Sequence, residues 1–156
     1  MTCPKCGFDA CAPMRDRWEF FVPLDSKSMN ARLTNSGNAR WAYKAERNRW
    51  EAMIAATLAD LSSGVASATS KRRVTITRCY FGRQQHRDHD NLVGGCKAMV
   101  DALVRTGVLV DDNAKGAQIF YRQERATPTG VRFLVEEFGV ELHTQMGDGS
   151  IATRVL

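Results

Sequence analysis

The strongest constraint on this chain is a repeated change of hydrophobic period. Between about Ala39 and Leu61, Trp50, Met53, Ile54, Leu58 and Leu61 recur at helical spacing, which predicts a long helix with one apolar stripe facing a core. Arg72 to Phe81 then alternates, with Val74, Ile76 and Tyr80 set against polar neighbours, which is the pattern of a strand. The helical period returns from Asn91 or Gly95 to Thr106, with Leu92, Cys96, Met99, Val100 and Leu103 on the buried side and Gly107 as the stop. Trp18 to Pro23 reads as a first strand ending at the proline. Val108 to Val110, Ala117 to Gln123 and Val131 to Phe138 read as later strands, with Thr127-Pro128-Thr129-Gly130 as a hairpin turn between the last two. The order β, α, β, α, β, β predicts an α+β (α/β) fold, a single small domain in which a mixed sheet packs against two main helices.

A chain of 156 residues is long enough to bury a core without disulfides. The domain proper is expected over residues 16–143. Residues 1–15 carry three of the five cysteines without periodicity and read as an appendage, and residues 144–156 read as a patternless tail. No apolar run approaches the roughly eighteen residues needed to cross a bilayer, and the N-terminus lacks the apolar core of a secretory signal. An odd number of cysteines fits a reducing compartment, so a cytoplasmic chain without membrane contact is expected. Trp41, Trp50 and Phe120 read as core residues, as do Cys79 and Cys96. Cys3-Pro4-Lys5-Cys6-Gly7 with Cys11 looks like half of a zinc ribbon. A tetrahedral Zn2+ site needs four ligands, so an intact site at Cys3, Cys6 and Cys11 within one chain is not expected; a remnant and a site shared between subunits are the alternatives.

The net charge of +5 is unevenly divided. Asp88 to Asp112 carries −3, while the rest of the chain carries +8, so an acidic island sits in a basic chain. Basic surroundings attract phosphates, whereas a local excess of carboxylates repels them unless divalent cations intervene, and this is the charge plan of a nuclease. Chance fluctuation of local charge fits the same numbers. Lys27 to Arg49 sets Lys27, Arg32, Arg40, Lys44, Arg47 and Arg49 against Glu46 alone, which makes it the expected DNA-binding stretch. Within it, Lys27, Asn30 and Arg32 lie in a polar loop suited to ordering on branched DNA, while Arg47 and Arg49 also fit a solvated helix face.

The densest chemical signal is Arg87-Asp88-His89-Asp90-Asn91, followed by Lys97, Asp101 and Asp111-Asp112. Aspartates two apart on an extended segment point the same way and together suit an oxygen-loving cation. In one continuous helix, Asp90, Gly94, Lys97 and Asp101 fall on a single polar stripe, although Gly94 and Gly95 are also able to delay the helix start. Plainer readings stand beside this one. Asp90 caps the helix, Lys97 and Asp101 form a surface pair, and Asp111-Asp112-Asn113 is a solvated turn. His86 and His89 invite a zinc or general-base role, but the neighbouring carboxylates suit magnesium.

The run DHDNLVGGCKAMVDALVRTGVLVDD resembles the signature of RusA-type Holliday junction resolvases, a DxDN followed by a lysine, a DAL and a GVxxDD. Phe21-Val22-Pro23 with Ser28-Met29-Asn30 resembles that family's first strand and Ser-x-Asn loop, and Tyr43-Lys44 sits where its first helix often has such a pair. The likeness spans roughly residues 18–138 and departs at Val93-Gly94-Gly95, three residues inserted between Asn91 and Lys97. It implies a RusA-like fold and a phage or prophage setting in a bacterial cytoplasm. The implied activity is a homodimeric, Mg2+-dependent endonuclease, with Mn2+ as a possible substitute, that resolves four-way junction DNA in recombination and repair. It further implies that Asp88, Asp90 and Asp112 hold the metal and that Lys97 assists them; Asn91, Asp101 and Asp111 are possible additional members.

Overall fold

The alternations read from the sequence close into two layers. The computed structural model describes residues 14–27, 39–62, 64–84, 86–138, 141–145 and 151–155. Its elements are β1 (Met14–Val22), α1 (Ala39–Asp60), β2 (Arg72–Tyr80), α2 (His89–Arg105), β3 (Ala117–Arg125), β4 (Gly130–Phe138), β5 (Glu141–Gln145) and β6 (Ile151–Val155). The first four strands form one mixed sheet in the order β1-β4-β2-β3, with β2 and β3 parallel and β4 antiparallel to both β1 and β2. This is a small α+β domain, a mixed four-stranded sheet packed against two helices.

Strand alternation decides which side of the sheet the helices cover. Cross-strand register aligns Phe20 with Phe133 and Ile76, and Trp18 with Val135 and Val74, so these side chains share one face. Phe20 stacks on Phe133 at 5.0 Å, and Trp50 of α1 meets Phe133 edge-on at 6.3 Å. Leu92, Cys96, Met99 and Leu103 of α2 complete the same core. The row that β2 turns toward the helices is apolar only in the middle, because it begins with Arg72 and ends with Arg78, both buried. Buried guanidinium groups need partners. Arg72 is paired with Glu137 at 2.6 Å and also donates to the Val108 carbonyl at 2.9 Å. Arg78 is paired with Asp25 at 2.8 Å.

Several expectations are corrected by this arrangement. The segment 126–129 is not a hairpin turn, since β4 pairs with β1 and β2 and never with β3. The chain crosses the end of β2 instead, where Ala126 N donates to the Tyr80 carbonyl at 3.0 Å. Val108 to Val110 is not a strand. Gly107 takes a positive φ of 77° after Thr106, Leu109 N bonds back to the Leu103 carbonyl, and Arg72 satisfies Val108, so the segment forms the C-terminal cap of α2. Trp50 is core, but Trp41 is 70% exposed and Phe120 is 41% exposed. At about 100° of rotation per residue, position 41 lies roughly half a turn from Trp50, on the far side of α1. The first strand begins at Met14 rather than near Trp18, inside the expected appendage. The expected tail boundary cuts β5, which pairs antiparallel with β6 in a separate two-stranded sheet. Among the described residues, no helix is long and apolar enough to cross a membrane.

Replacing Arg72 with Met leaves Glu137 buried without its partner and should cost about 3–5 kcal/mol in urea unfolding. Adding Glu137→Leu should recover much of the loss; an equal or larger loss in the double variant would contradict this account of the sheet end.

Candidate functional site

Asp88 ends the loop before α2 and serves as its N-cap. With φ −61° and ψ 163°, it turns its carboxylate onto the Asn91 backbone N–H at 2.9 Å. The Asn91 side-chain amide donates to the other Asp88 oxygen. These bonds, the backbone one first, lower the Asp88 pKa, so the group is a carboxylate at any near-neutral pH. Asp90 lies in the first turn, where the helix dipole favours negative charge. The capping residue is therefore Asp88, not Asp90, and the helix runs unbroken through Gly94 and Gly95.

Two turns along α2, Lys97 stands between two carboxylates. Its ammonium reaches Asp101 at 3.3 Å and Asp112, in the segment before β3, at 3.5 Å. Partial burial acts to lower the Lys97 pKa, but the hydrogen bond and charge of Asp101, then those of Asp112, outweigh it and leave the pKa raised. The stabilisation of charged Lys97 is therefore present at neutral pH and lost only as pH rises through a value above the ordinary lysine range. Tyr43 of α1 donates its phenol O–H to the second oxygen of Asp101. Thus α1 sets Asp101, Asp101 sets Lys97, and Lys97 meets Asp112.

The paired aspartates at the start of the β3 approach part company. Asp111 accepts from the Asp112 N–H at 2.7 Å and from the Asn113 amide, so it is turned into its own loop. Gly116 packs against Asp111 so closely that a Cβ there would lie 2.7 Å from its backbone, which fixes the turn. Asp112 is the member left to face Lys97. Tyr121 of β3 joins the two ends of the site. Its pKa is raised to about 12 by burial and by the charges of Cys96 and Asp112. It also lines an open cleft of about 460 Å3 with His86, Arg87, Asp88, His89, Leu92, Arg122 and Gln123. A neutral phenol in that cleft, beside Asp88, Arg87 and Arg122, is a hydrogen-bond donor across the physiological range.

The basic loop begins beside this cleft because Asp25 holds it there. Asp25 binds Arg78, accepts from the Gln84 amide at 3.2 Å and contacts Arg87 at 3.5 Å. Arg87 also donates to the Ser26 hydroxyl at 2.7 Å and the Ser26 carbonyl at 2.6 Å. The chain then passes over α2 at Gly95, where an added Cβ would meet the Lys27 carbonyl at 2.5 Å. The second glycine of Val93-Gly94-Gly95 thereby acquires a physical role, since it admits the backbone at Lys27.

The expected DNA contacts divide. Lys27 is exposed at the end of this tether, and Arg40 and Lys44 are exposed on the first turns of α1. Asn30 and Arg32 lie outside the described residues, as do Cys3, Cys6 and Cys11. His86 is engaged structurally, contacting the Tyr80 hydroxyl at 3.1 Å and the Gln123 amide at 3.0 Å, so its ring serves the loop. Among the described residues, no group of three or more His, Cys, Asp or Glu is placed to hold a metal ion. The residues missed by sequence reasoning are Asp25, Tyr121 and Gln123, together with the role of Tyr43. Each acts through a contact distant in sequence, and none carries a local signal. No protein-family model matches the chain, and no curated protein matches it.

Gly95→Ala should leave the core intact but push the Asp25–Lys27 segment off α2. Faster hydrogen exchange at residues 25–27 and 84–88 with little change in melting temperature is the expected result, and unchanged exchange would contradict it. Capping by Asp88 contributes above the ordinary aspartate pKa of 3.8 and is lost as pH falls through its lower folded value. Asp88→Ala should therefore lower the melting temperature at pH 7, while Asp88→Asn, also a good cap, should not; equal losses in both variants would show that charge rather than capping is at work.

Proposed function

We propose that this chain is a magnesium-dependent, structure-selective endodeoxyribonuclease of the RusA kind, cutting four-way DNA junctions by paired nicks as a homodimer. The observation that carries this reading is the bridge from Lys97 to Asp101 and Asp112. It ties the helix that opens with Asp88 and Asp90 to the segment holding Asp112, in a protein whose remaining charge is strongly basic. A pair of ordinary surface aspartates needs no such connection.

Asp88, Asp90 and Asp112 supply only hard oxygen donors, and all three are exposed, which suits magnesium rather than zinc. Magnesium keeps several waters and is commonly held by one or two carboxylates together with substrate phosphate, so three carboxylates need not converge before DNA arrives. When bound, the ion would supply an activated water and neutralise charge developing on the phosphate. The protein's own groups do the rest. Lys97, held charged by Asp101, stabilises negative charge on the scissile phosphate. Tyr121 offers a neutral O–H in the cleft. Lys27, Arg40 and Lys44 pair with flanking phosphates and orient the strand. Two such sites related by a two-fold axis would nick a junction symmetrically, leaving 5′-phosphate and 3′-hydroxyl ends.

A second reading is favoured by the same bridge. Asp112 is already neutralised by Lys97, as expected in a DNA-binding protein that keeps the fold without the chemistry. Cleavage of a labelled four-way junction and of a linear duplex of the same sequence, with magnesium or EDTA, separates the two. The nuclease reading predicts symmetric, magnesium-dependent nicks in the junction alone, reduced at least about a hundredfold in Asp88→Asn, which preserves the cap. Tight junction binding without nicks would establish the second reading; full cleavage by Asp88→Asn would remove that residue from the catalytic set.

A further inference from the structure

The first turns of α1 carry a groove of which the chemistry above uses only Arg40 and Lys44. It has a volume of about 420 Å3 and is lined by Arg40, Trp41, Tyr43, Lys44 and Arg47. Among the described residues, its charged lining side chains are all cations. Arg40, Lys44 and Arg47 follow at separations of four and three, so they form one stripe along the helix. Trp41 stands beside that stripe with 70% of its surface exposed, an unusual cost for a large aromatic side chain that has no place in the core. Lys44 lies over its ring at 5.7 Å, so the ring is already part of a cationic surface. The Nε of Arg47 is shielded from solvent yet has no hydrogen-bond partner among the described residues.

From these features, and resting on the DNA-processing reading above, we propose that the groove holds an unpaired DNA strand, with one base stacked on Trp41 and its phosphates paired with Arg40, Lys44 and Arg47. Duplex DNA hides the faces of its bases and would leave Trp41 unused; a single strand offers both a π-face and a row of charges. A groove made of cations around an exposed indole is complementary to that ligand and to few others. The groove also adjoins the acidic site through one residue. Tyr43 lines the groove and donates to Asp101, the partner of Lys97. A strand seated on Trp41 is therefore one side chain away from the carboxylates, which identifies the bound feature as the unstacked nucleotides at a branch point.

Tryptophan fluorescence of the full chain, titrated with a short oligothymidylate and with a blunt hairpin duplex in EDTA, tests this without any cleavage. Quenching by the single strand is expected, because Trp50 is buried, Trp18 packs against the core under Arg72, and Trp41 is open to a stacked base. Trp41→Ala should weaken oligothymidylate binding about tenfold while leaving hairpin binding and its salt dependence unchanged, and Trp41→Phe should retain most of the affinity. Arg40→Gln with Lys44→Gln should flatten the salt dependence for both ligands. Wild-type affinity of Trp41→Ala for the single strand would overturn the proposal, and so would the absence of quenching with any oligonucleotide, which would leave the groove to a protein partner. Neither result depends on nicking. Stacking by a protein that fails to cut junctions would keep this inference and remove the nuclease reading, whereas cutting by a protein that fails to stack would do the reverse.

Discussion

Asp25 is the point on which the geometry of this protein turns. Its carboxylate neutralises Arg78, a charge buried at the end of the central row of β2, and also meets Arg87 and Gln84. A guanidinium at that position would be strongly unfavourable without a partner, so the residues after β1 are drawn across the end of the sheet. The same contact fixes Arg87, which directly precedes the capping residue of α2. The start of the basic loop and the start of the acidic helix are thus held together by one interaction. Gly95 permits the approach, and the Lys27 carbonyl passes over α2 at that point.

This placement gives physical content to an acidic island in a basic chain. Asp88 is kept ionised by the hydrogen bonds of its own helix terminus, while Asp112 is held by Lys97. Lys97, its pKa raised by Asp101 and Asp112, offsets part of the acidic charge, and the stretch from Asp88 to Asp112 keeps a net −3. A phosphate entering such a site meets Lys97 and Tyr121 as donors, and the surrounding cations oppose its repulsion from the carboxylates. Tyr43 extends the same connection into α1, so the acidic site and the cationic groove share a residue.

Periodicity made much of the fold legible. Both helices, β2 and the glycine stop at Gly107 follow from the spacing of apolar residues, because burial acts on each element separately. Strand partners were not legible, since nothing local in Thr127 to Gly130 distinguishes a hairpin from a crossing over β2. The apolar run Val108 to Val110 resembles a strand but is buried by a helix cap and a distant arginine, which no window around it contains. Trp41 shows the converse error: an aromatic in a helical pattern reads as core until its angle to Trp50 is counted. At the site, the DxDN spacing and the lysine were visible, but the division of labour between Asp111 and Asp112 depends on which of them the turn to Gly116 consumes.

The central claim is that Asp88, Asp90 and Asp112 act on one ion although they come from two segments. Calorimetric titration with Mn2+ of the intact chain bound to a four-way junction with non-hydrolysable linkages at the branch, in the wild type and in Asp88→Asn, Asp112→Asn and Asp111→Asn, tests it directly. The account predicts that binding is lost or greatly weakened in the first two variants and retained in the third, whose carboxylate is spent on its own loop. Unchanged binding in Asp112→Asn, or equal loss in Asp111→Asn, would contradict it.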